Sequence, residues 1–327
     1  MRTSFNNKLT AFFGNFSLVL GTVPPRHLIY LYADYVELVA LFSNQNYVSP
    51  SDILDRLKDE GIIQQTENDE DQSVANDEHE RFVDSIFRLI NERAQLFGDD
   101  YPFYVHNNEH LILKEETFIT ERNKIYIYLL LSSSLNIFSP FQSELTTEFE
   151  SLCTNVLRNF LPQHAIVKSF GKNSDYTGTA VQKISALASD MSIPLDIDGF
   201  QEISQRGTQE KGLDLVGWIP FADTVANFLS IFVQCACGKD WNKKLTETRR
   251  YNNYFKFHRL KPIHSLFVPY NLVSFNKNTF YRNDEFDNEL VFERKRILNY
   301  LHQTDFFDGF DCKLLVEKCI SYEEDIV

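Results

Sequence analysis

Two stretches place oxygen donors at the ends of apolar runs that read as neighbouring strands: Gly212-Leu213-Asp214 opens GLDLVGWIPF, and Gln234 closes SIFVQ. Side chains alternate along a strand, so Gln234, Ala236 and Gly238 share one face while Cys235 and Cys237 take the other. If Asp214 faces the Gln234 side, a carboxylate, an amide oxygen and a main-chain carbonyl converge on a hard cation. Such donors suit Mg²⁺ or Mn²⁺, with waters and a phosphate completing the octahedron. A metal held there would polarise the phosphate and activate a water for hydrolysis. Glu150, one helix upstream, offers a further carboxylate, with Glu148 as the competing choice.

A basic segment follows the glutamine. Lys239, Lys243, Lys244, Arg249, Arg250, Lys256, Arg259 and Lys261 are interleaved with Tyr251, Tyr254, Phe255 and Phe257. This is the composition of a groove that tracks a nucleic-acid backbone, and equally that of a solvated helix face.

The elements that must position these groups divide the chain near residue 140. Residues 1–139 read as a mainly helical accessory domain. HLIYLYADYVELVALFSNQ is apolar around most of its circumference, with Asp34 and Glu37 as interruptions, and predicts a buried helix. Ser49 caps the next helix, Pro50 suits its first position and Gly61 ends it. The acidic stretch 64–80 holds almost no large apolar residue and reads as a surface loop or a disordered insertion. RFVDSIFRLINERAQLFG is a further helix, YPFYVHNNEHLILK a hairpin turning at Asn107-Asn108, and the run 125–138 a core helix.

Residues 140–327 read as an α/β domain, α+β when the chain is taken whole. SELTTEFESLCTNVLRNFL is an amphipathic helix, HAIVKSF a strand and TGTAVQKISALASDM a helix. Two strands follow, carrying Asp214 and Gln234. KDWNKKLTETRRYNNYFKF opens as a helix, HSLFVPYNL is a last core strand, and ELVFERKRILNYLH is a late helix.

The order helix, three strands, helix, strand, with GLD, a strand ending in Gln234 and the pair Phe149-Glu150, resembles the PD-(D/E)xK nuclease superfamily, most closely Mrr-type restriction enzymes. The resemblance runs from about Phe141 to Asn271, less than half of the chain. It implies a restriction-endonuclease-like mixed sheet flanked by helices and a Mg²⁺- or Mn²⁺-dependent DNA nuclease of restriction or antiviral defence. Asp214, Gln234 and Glu150 would hold the metal. The family's lysine, expected two residues after its glutamine, is here Ala236. The resemblance allows that lysine to move onto the following helix, which makes Lys243 and Lys244 candidates and turns Lys239 away. Lys239, Lys243, Lys244, Arg249 and Arg250 would contact DNA. Without a replacement lysine, the domain would instead be an inactive DNA-binding or partner subunit of a defence complex.

Composition narrows the alternatives. A net charge of −14 argues against a protein that coats nucleic acid non-specifically, without excluding a local basic groove. Five scattered cysteines predict a reducing compartment rather than a disulfide framework, and Cys235-Ala-Cys237 lacks partners at zinc spacing. Arg2 and Lys8 precede an apolar run interrupted by Asn15, which reads as a strand or buried segment rather than a leader. The run 125–138 is too short and serine-rich to span a bilayer, so the expectation is a soluble cytoplasmic protein. Phosphate-binding and dinucleotide-binding glycine loops, zinc-protease and serine-hydrolase motifs are all missing. The helices before residue 60 fit a packed domain, and also a surface that binds a protein partner.

Overall fold

Contacts divide the chain into two units, each built from both helices and strands. One comprises Met1–Gln142, Tyr270–Tyr281 and Thr304–Val327; the other comprises Ser143–Pro269 and Arg282–Gln303. The computed structural model describes residues 2–45, 47–63, 69–107, 109–201 and 212–322. The sequence reading places everything after 140 in the second domain, whereas Tyr270–Tyr281 and the C-terminal segment return to the first unit.

The first unit holds helices α1 (Arg2–Phe13), α2 (Ile29–Phe42), α3 (Pro50–Asp59), α4 (Asp69–Phe97) and α5 (Glu121–Ser133). A three-stranded antiparallel sheet joins them, formed by β1 (Tyr47–Val48), β2 (Phe103–His106) and β3 (His110–Leu113) in the order β1-β3-β2. Ser49 makes the capping box expected of it: its hydroxyl accepts from Asp52 N–H, and the Asp52 carboxylate takes the Ser49 N–H at 2.8 Å. Thr120 and Asn123 cap α5 in the same way. The hairpin is present with Asn107 at φ 53; Asn108, the other expected turn residue, lies outside the described residues.

One expectation for this unit needs correction, and one open alternative is decided. The segment 69–80 belongs to the long helix α4 rather than to a loop, while 64–68 lie outside the described residues. Acidic residues in the first turns favour a helix N-terminus, and the amphipathic run behind them carries the helix on. Of the strand or buried segment expected after Lys8, Leu9–Phe13 are the buried segment, helical within α1; Phe5, Leu9 and Phe13 fall on one buried face at helical spacing.

The second unit is organised on a five-stranded sheet. After α6 (Gln142–Phe160) come β4 (Ile166–Ser169), α7 (Ala180–Asp190) and the short α8 (Ile197–Gln201). The central strands β5 (Leu215–Trp218), β6 (Ser230–Cys235) and β7 (Ile263–Phe267) follow. A small hairpin, β8 (Val273–Ser274) with β9 (Thr279–Phe280), belongs to the first unit; β10 (Leu290–Phe292) and α9 (Arg294–Asn299) complete the second, and α10 (Cys312–Ile320) lies in the first. The sheet order is β10-β7-β6-β5-β4. Pairs β4–β5 and β5–β6 are antiparallel, while β6–β7 and β7–β10 are parallel. Strands β5 and β6 are buried along almost their whole length, as their unbroken apolar sequence requires.

Two segments here differ from expectation. Residues 241–253 form 3₁₀ turns, Trp241–Lys244 and Glu247–Asn253, not an α-helix. Two threonines and an Asn-Asn pair weaken α-helix propagation, while Trp241 and Tyr251 still bury. The predicted late helix is a strand and a helix: Glu293 ends β10 and caps α9, its carboxylate accepting from the Lys295 and Arg296 N–H groups. Among the described residues, no helix is long and apolar enough to cross a membrane.

Candidate metal centre

Register sets the geometry. Leu215 lies opposite Val233, so Asp214 and Gln234 are the next residues beyond the paired ends of β5 and β6. Asp214 N–H donates to Val233 O at 2.9 Å, and Asp214 O accepts from the N–H groups of Phe170 and Gly171 at 2.7 and 3.0 Å. The ladder is broken on the return bond. Instead of a main-chain carbonyl, Asp214 Oδ2 accepts the Cys235 N–H at 2.7 Å. The main chain on both sides therefore fixes the carboxylate.

Glu150 meets Asp214 from α6. Phe149, Leu152 and Cys153 bury the inner face of this helix and leave Glu150 at its half-buried border. Its Oε2 accepts the Lys172 N–H at 3.1 Å. Gly171 shows how closely the two acids converge: a methyl group there would sit 2.7 Å from Glu150 Oε2 and 3.0 Å from Asp214 Oδ1. Only a residue without a side chain leaves that space open. Gly171→Ala is accordingly expected to separate the carboxylates and weaken Mn²⁺ binding at least about tenfold in calorimetry, with little change in the melting curve. Unchanged Mn²⁺ affinity would argue that the acids do not act together.

Gln234 is 4% exposed. Its Nε2 donates to Glu247 Oε2 at 2.7 Å, and its Oε1 is buried without a hydrogen-bond partner. Glu247 was not singled out by sequence reasoning; it stands 13 residues beyond the glutamine, in a segment read as helix, where it looks like an ordinary surface acid. Lys172 was missed as well. Its side chain is exposed, and its ammonium lies 3.4 and 3.5 Å from the hydroxyls of Thr146 and Thr147, one turn before Glu150.

The expectation that both cysteines turn away from Asp214 is corrected. Cys235 hydrogen-bonds to Cys153 of α6, and burial pushes both thiols up, with the Glu150 and Asp214 charges adding to the rise. Burial likewise raises Cys237, and Cys153 and Glu150 reinforce it. The departure from strand alternation arises because Asp214 lies outside the regular ladder and curls its carboxylate over the Cys235 amide.

The basic residues separate into groups. Lys239, Lys244 and Arg250 are exposed, and Lys243 pairs with Asp240 at 3.3 Å, both well exposed. Arg249 is committed to Glu289 and Asp287, which removes it from a free phosphate-contacting role. Ala236 is 2% exposed, with its N–H bonded to Phe267 O.

Behind these residues, His264 of β7 sits with Thr248 Oγ1 3.0 Å from Nδ1 and Asn252 Nδ2 3.2 Å from Nε2. Burial, reinforced by the Arg249 charge, pushes its pKa down to about 4. The unfolded imidazole protonates near pH 6.5, so between about pH 6.5 and 4 the unfolded chain binds the extra proton. The stability due to neutral His264 is fully present above about pH 6.5 and declines as pH falls toward 4. Denaturant midpoints followed by Trp218 and Trp241 fluorescence should drop between pH 7 and 5, and His264→Gln should flatten the drop; equal slopes would refute the assignment.

Glu150 and Asp214 supply hard oxygen atoms at one point, and this chemistry fits Mg²⁺ or Mn²⁺; Gln234, expected to join them, faces Glu247 instead. Among the described residues, no three His, Cys, Asp or Glu side chains gather as a metal-binding group. Mg²⁺ does not require one, because it binds through one or two carboxylates and keeps waters or phosphate oxygens for the rest. No known family pattern, curated protein or solved structure matches this chain.

Proposed function

We propose that the second unit is a restriction-endonuclease-like domain and that the protein is a metal-dependent DNA nuclease, working in the cytoplasm in restriction or antiviral defence. The observation that carries this reading is the approach of Glu150 Oε2 and Asp214 Oδ1 to one point above Gly171. It is supported by a sheet in which three antiparallel strands are followed by parallel ones, with α6 ahead of them. The defence setting rests on the resemblance to Mrr-type enzymes alone.

In this reading Glu150 and Asp214 would hold the cation. Bound there, Mg²⁺ or Mn²⁺ supplies Lewis-acid polarisation of a phosphate and a water acidified for attack. Cys235 N–H and the main chain at Phe170 and Gly171 keep Asp214 from swinging away. Lys172 stands beside Glu150, where an exposed ammonium can meet a phosphate oxygen, and Lys239, Lys244 and Arg250 extend the positive surface.

Incubation of the full chain with plasmid DNA in Mg²⁺ or Mn²⁺ should produce nicked and linear forms, and EDTA should stop their appearance. Intact plasmid under all conditions would remove the enzymatic reading. Buried Ala236 favours one alternative, a nuclease-like subunit that binds DNA without cutting it. That alternative predicts salt-sensitive retention of DNA with no metal-dependent products.

A further inference from the structure

The two acids of the candidate centre sit on different elements, Glu150 on α6 and Asp214 just ahead of β5, and one loop reaches both. Phe170 and Gly171 donate their N–H groups to Asp214 O, and Lys172 donates its N–H to Glu150 Oε2. Asn173 fastens the same loop to α6, its Nδ2 donating to Ser151 Oγ at 3.2 Å. Phe170 is fully buried and roots the loop in the core, whereas Lys172, Asn173 and Asp175 are exposed. The loop leaves β4, an edge strand of the sheet, at Ser169. Asp175 takes both main-chain groups of that serine. Its Oδ2 accepts the Ser169 N–H at 2.8 Å, and its own N–H donates to Ser169 O at 2.9 Å. At an exposed edge, water would satisfy these groups equally well. What the pairing adds is closure: the segment between Ser169 and Asp175 is pinned at its base.

We infer that Asp175 is a positioning residue: by closing the loop onto Ser169 it holds the Gly171 and Lys172 amides where they fix Asp214 and Glu150 for one divalent cation. The inference rests on the proposed reading of those two acids as a metal centre. Asp175 acts through the main chain. Its bonds go to Ser169, and the loop carries the constraint to Glu150 through the Lys172 N–H. Such a latch needs an acceptor oxygen rather than a charge, because a neutral amide oxygen takes the Ser169 N–H as a carboxylate does. That requirement separates it from a purely electrostatic influence on the cation, which asparagine would abolish as fully as alanine.

The test is calorimetric titration of the full chain with MnCl₂, beside amide hydrogen exchange followed by NMR and thermal melts. Asp175→Ala is expected to weaken Mn²⁺ binding about tenfold, the lower end of what loss of a supporting hydrogen bond costs a metal site. The Gly171 and Lys172 amides should exchange at least about tenfold faster in the metal-free variant, with the core strands unchanged. Asp175→Asn keeps the acceptor and should stay within about threefold of wild type in both measurements. Wild-type Mn²⁺ affinity in Asp175→Ala, or an Asp175→Asn variant as weak as Asp175→Ala, overturns the inference, while loss of binding in Asp214→Ala keeps the metal centre. A variant Asp175→Ala that no longer melts cooperatively also overturns it, because a latch confined to one exposed loop leaves the core intact. Unchanged Mn²⁺ binding in Asp214→Ala overturns both.

Discussion

Asp214→Ala should lower metal-supported DNA cleavage by at least about a hundredfold, a barrier increase of about 3 kcal/mol. Three features make the loss this large. Asp214 Oδ1 is one of the two charged oxygens at the centre, and Gly171 leaves its approach to Glu150 open. Its Oδ2 also takes the Cys235 N–H, so alanine leaves a partly buried donor unpaired at the end of β6. The main-chain bonds of residue 214 to Val233, Phe170 and Gly171 do not involve the side chain, so the strand end should persist. Activity should therefore fall much further than stability. Initial rates of plasmid nicking in Mn²⁺, beside melting curves of both proteins, check this. A variant that cuts at the wild-type rate would show that the chemistry lies elsewhere.

The second large effect concerns the first unit. Arg93→Met should destabilise it by about 3–5 kcal/mol. The guanidinium is fully buried: its Nη1 lies 2.8 Å from Asp34 Oδ1 and 2.7 Å from Glu37 Oε1, and its Nη2 donates to Tyr30 O at 3.0 Å. Burial pulls the Arg93 pKa down, but the Glu37 and Asp34 charges outweigh it and hold the group firmly charged. Tyr101 and Tyr126 hydroxyls also donate to Glu37, at 2.9 and 3.0 Å, and Ser133 donates to Asp34 at 2.7 Å. With methionine at 93, two carboxylates stay buried without a cation, and at neutral pH at least one must protonate or drag water inward. Urea unfolding followed by far-UV circular dichroism measures the cost. A change below about 1 kcal/mol would mean that the tyrosines and Ser133 alone satisfy the acids.

Asp34 and Glu37 also show how far the sequence could be read. Their helix was legible because apolar residues surround them, yet Arg93 lies on a helix 56 residues beyond Glu37 and no local pattern marks it as their partner. The same holds at the candidate centre. Strands β5 and β6 and the capped start of α3 follow from apolar runs and Ser/Thr chemistry, all local signals; the Thr120 and Thr179 caps of α5 and α7 are of the same local kind but were not read. The broken ladder at Asp214 is not local. It depends on Phe170 and Gly171 capturing the Asp214 carbonyl, which frees the carboxylate to take the Cys235 amide. Alternation along β6 holds, with Gln234 toward Glu247 and Cys235 toward Cys153; the residue that departs from expectation is Asp214, which comes to the cysteine side. Glu247 and Lys172 escaped for a related reason: each comes from a turn or loop, where spacing carries no periodic signal. The return of Tyr270–Tyr281 and the C-terminal helix to the first unit is a tertiary choice with no boundary composition to announce it.

Crystals of the full chain grown with MnCl₂ and measured near the manganese absorption edge would test the metal centre most directly. The account predicts one anomalous peak at about 2.2 Å from both Asp214 Oδ1 and Glu150 Oε2, beside the space that Gly171 leaves open. Manganese bound elsewhere on the chain, with no density between these two carboxylates, would contradict it.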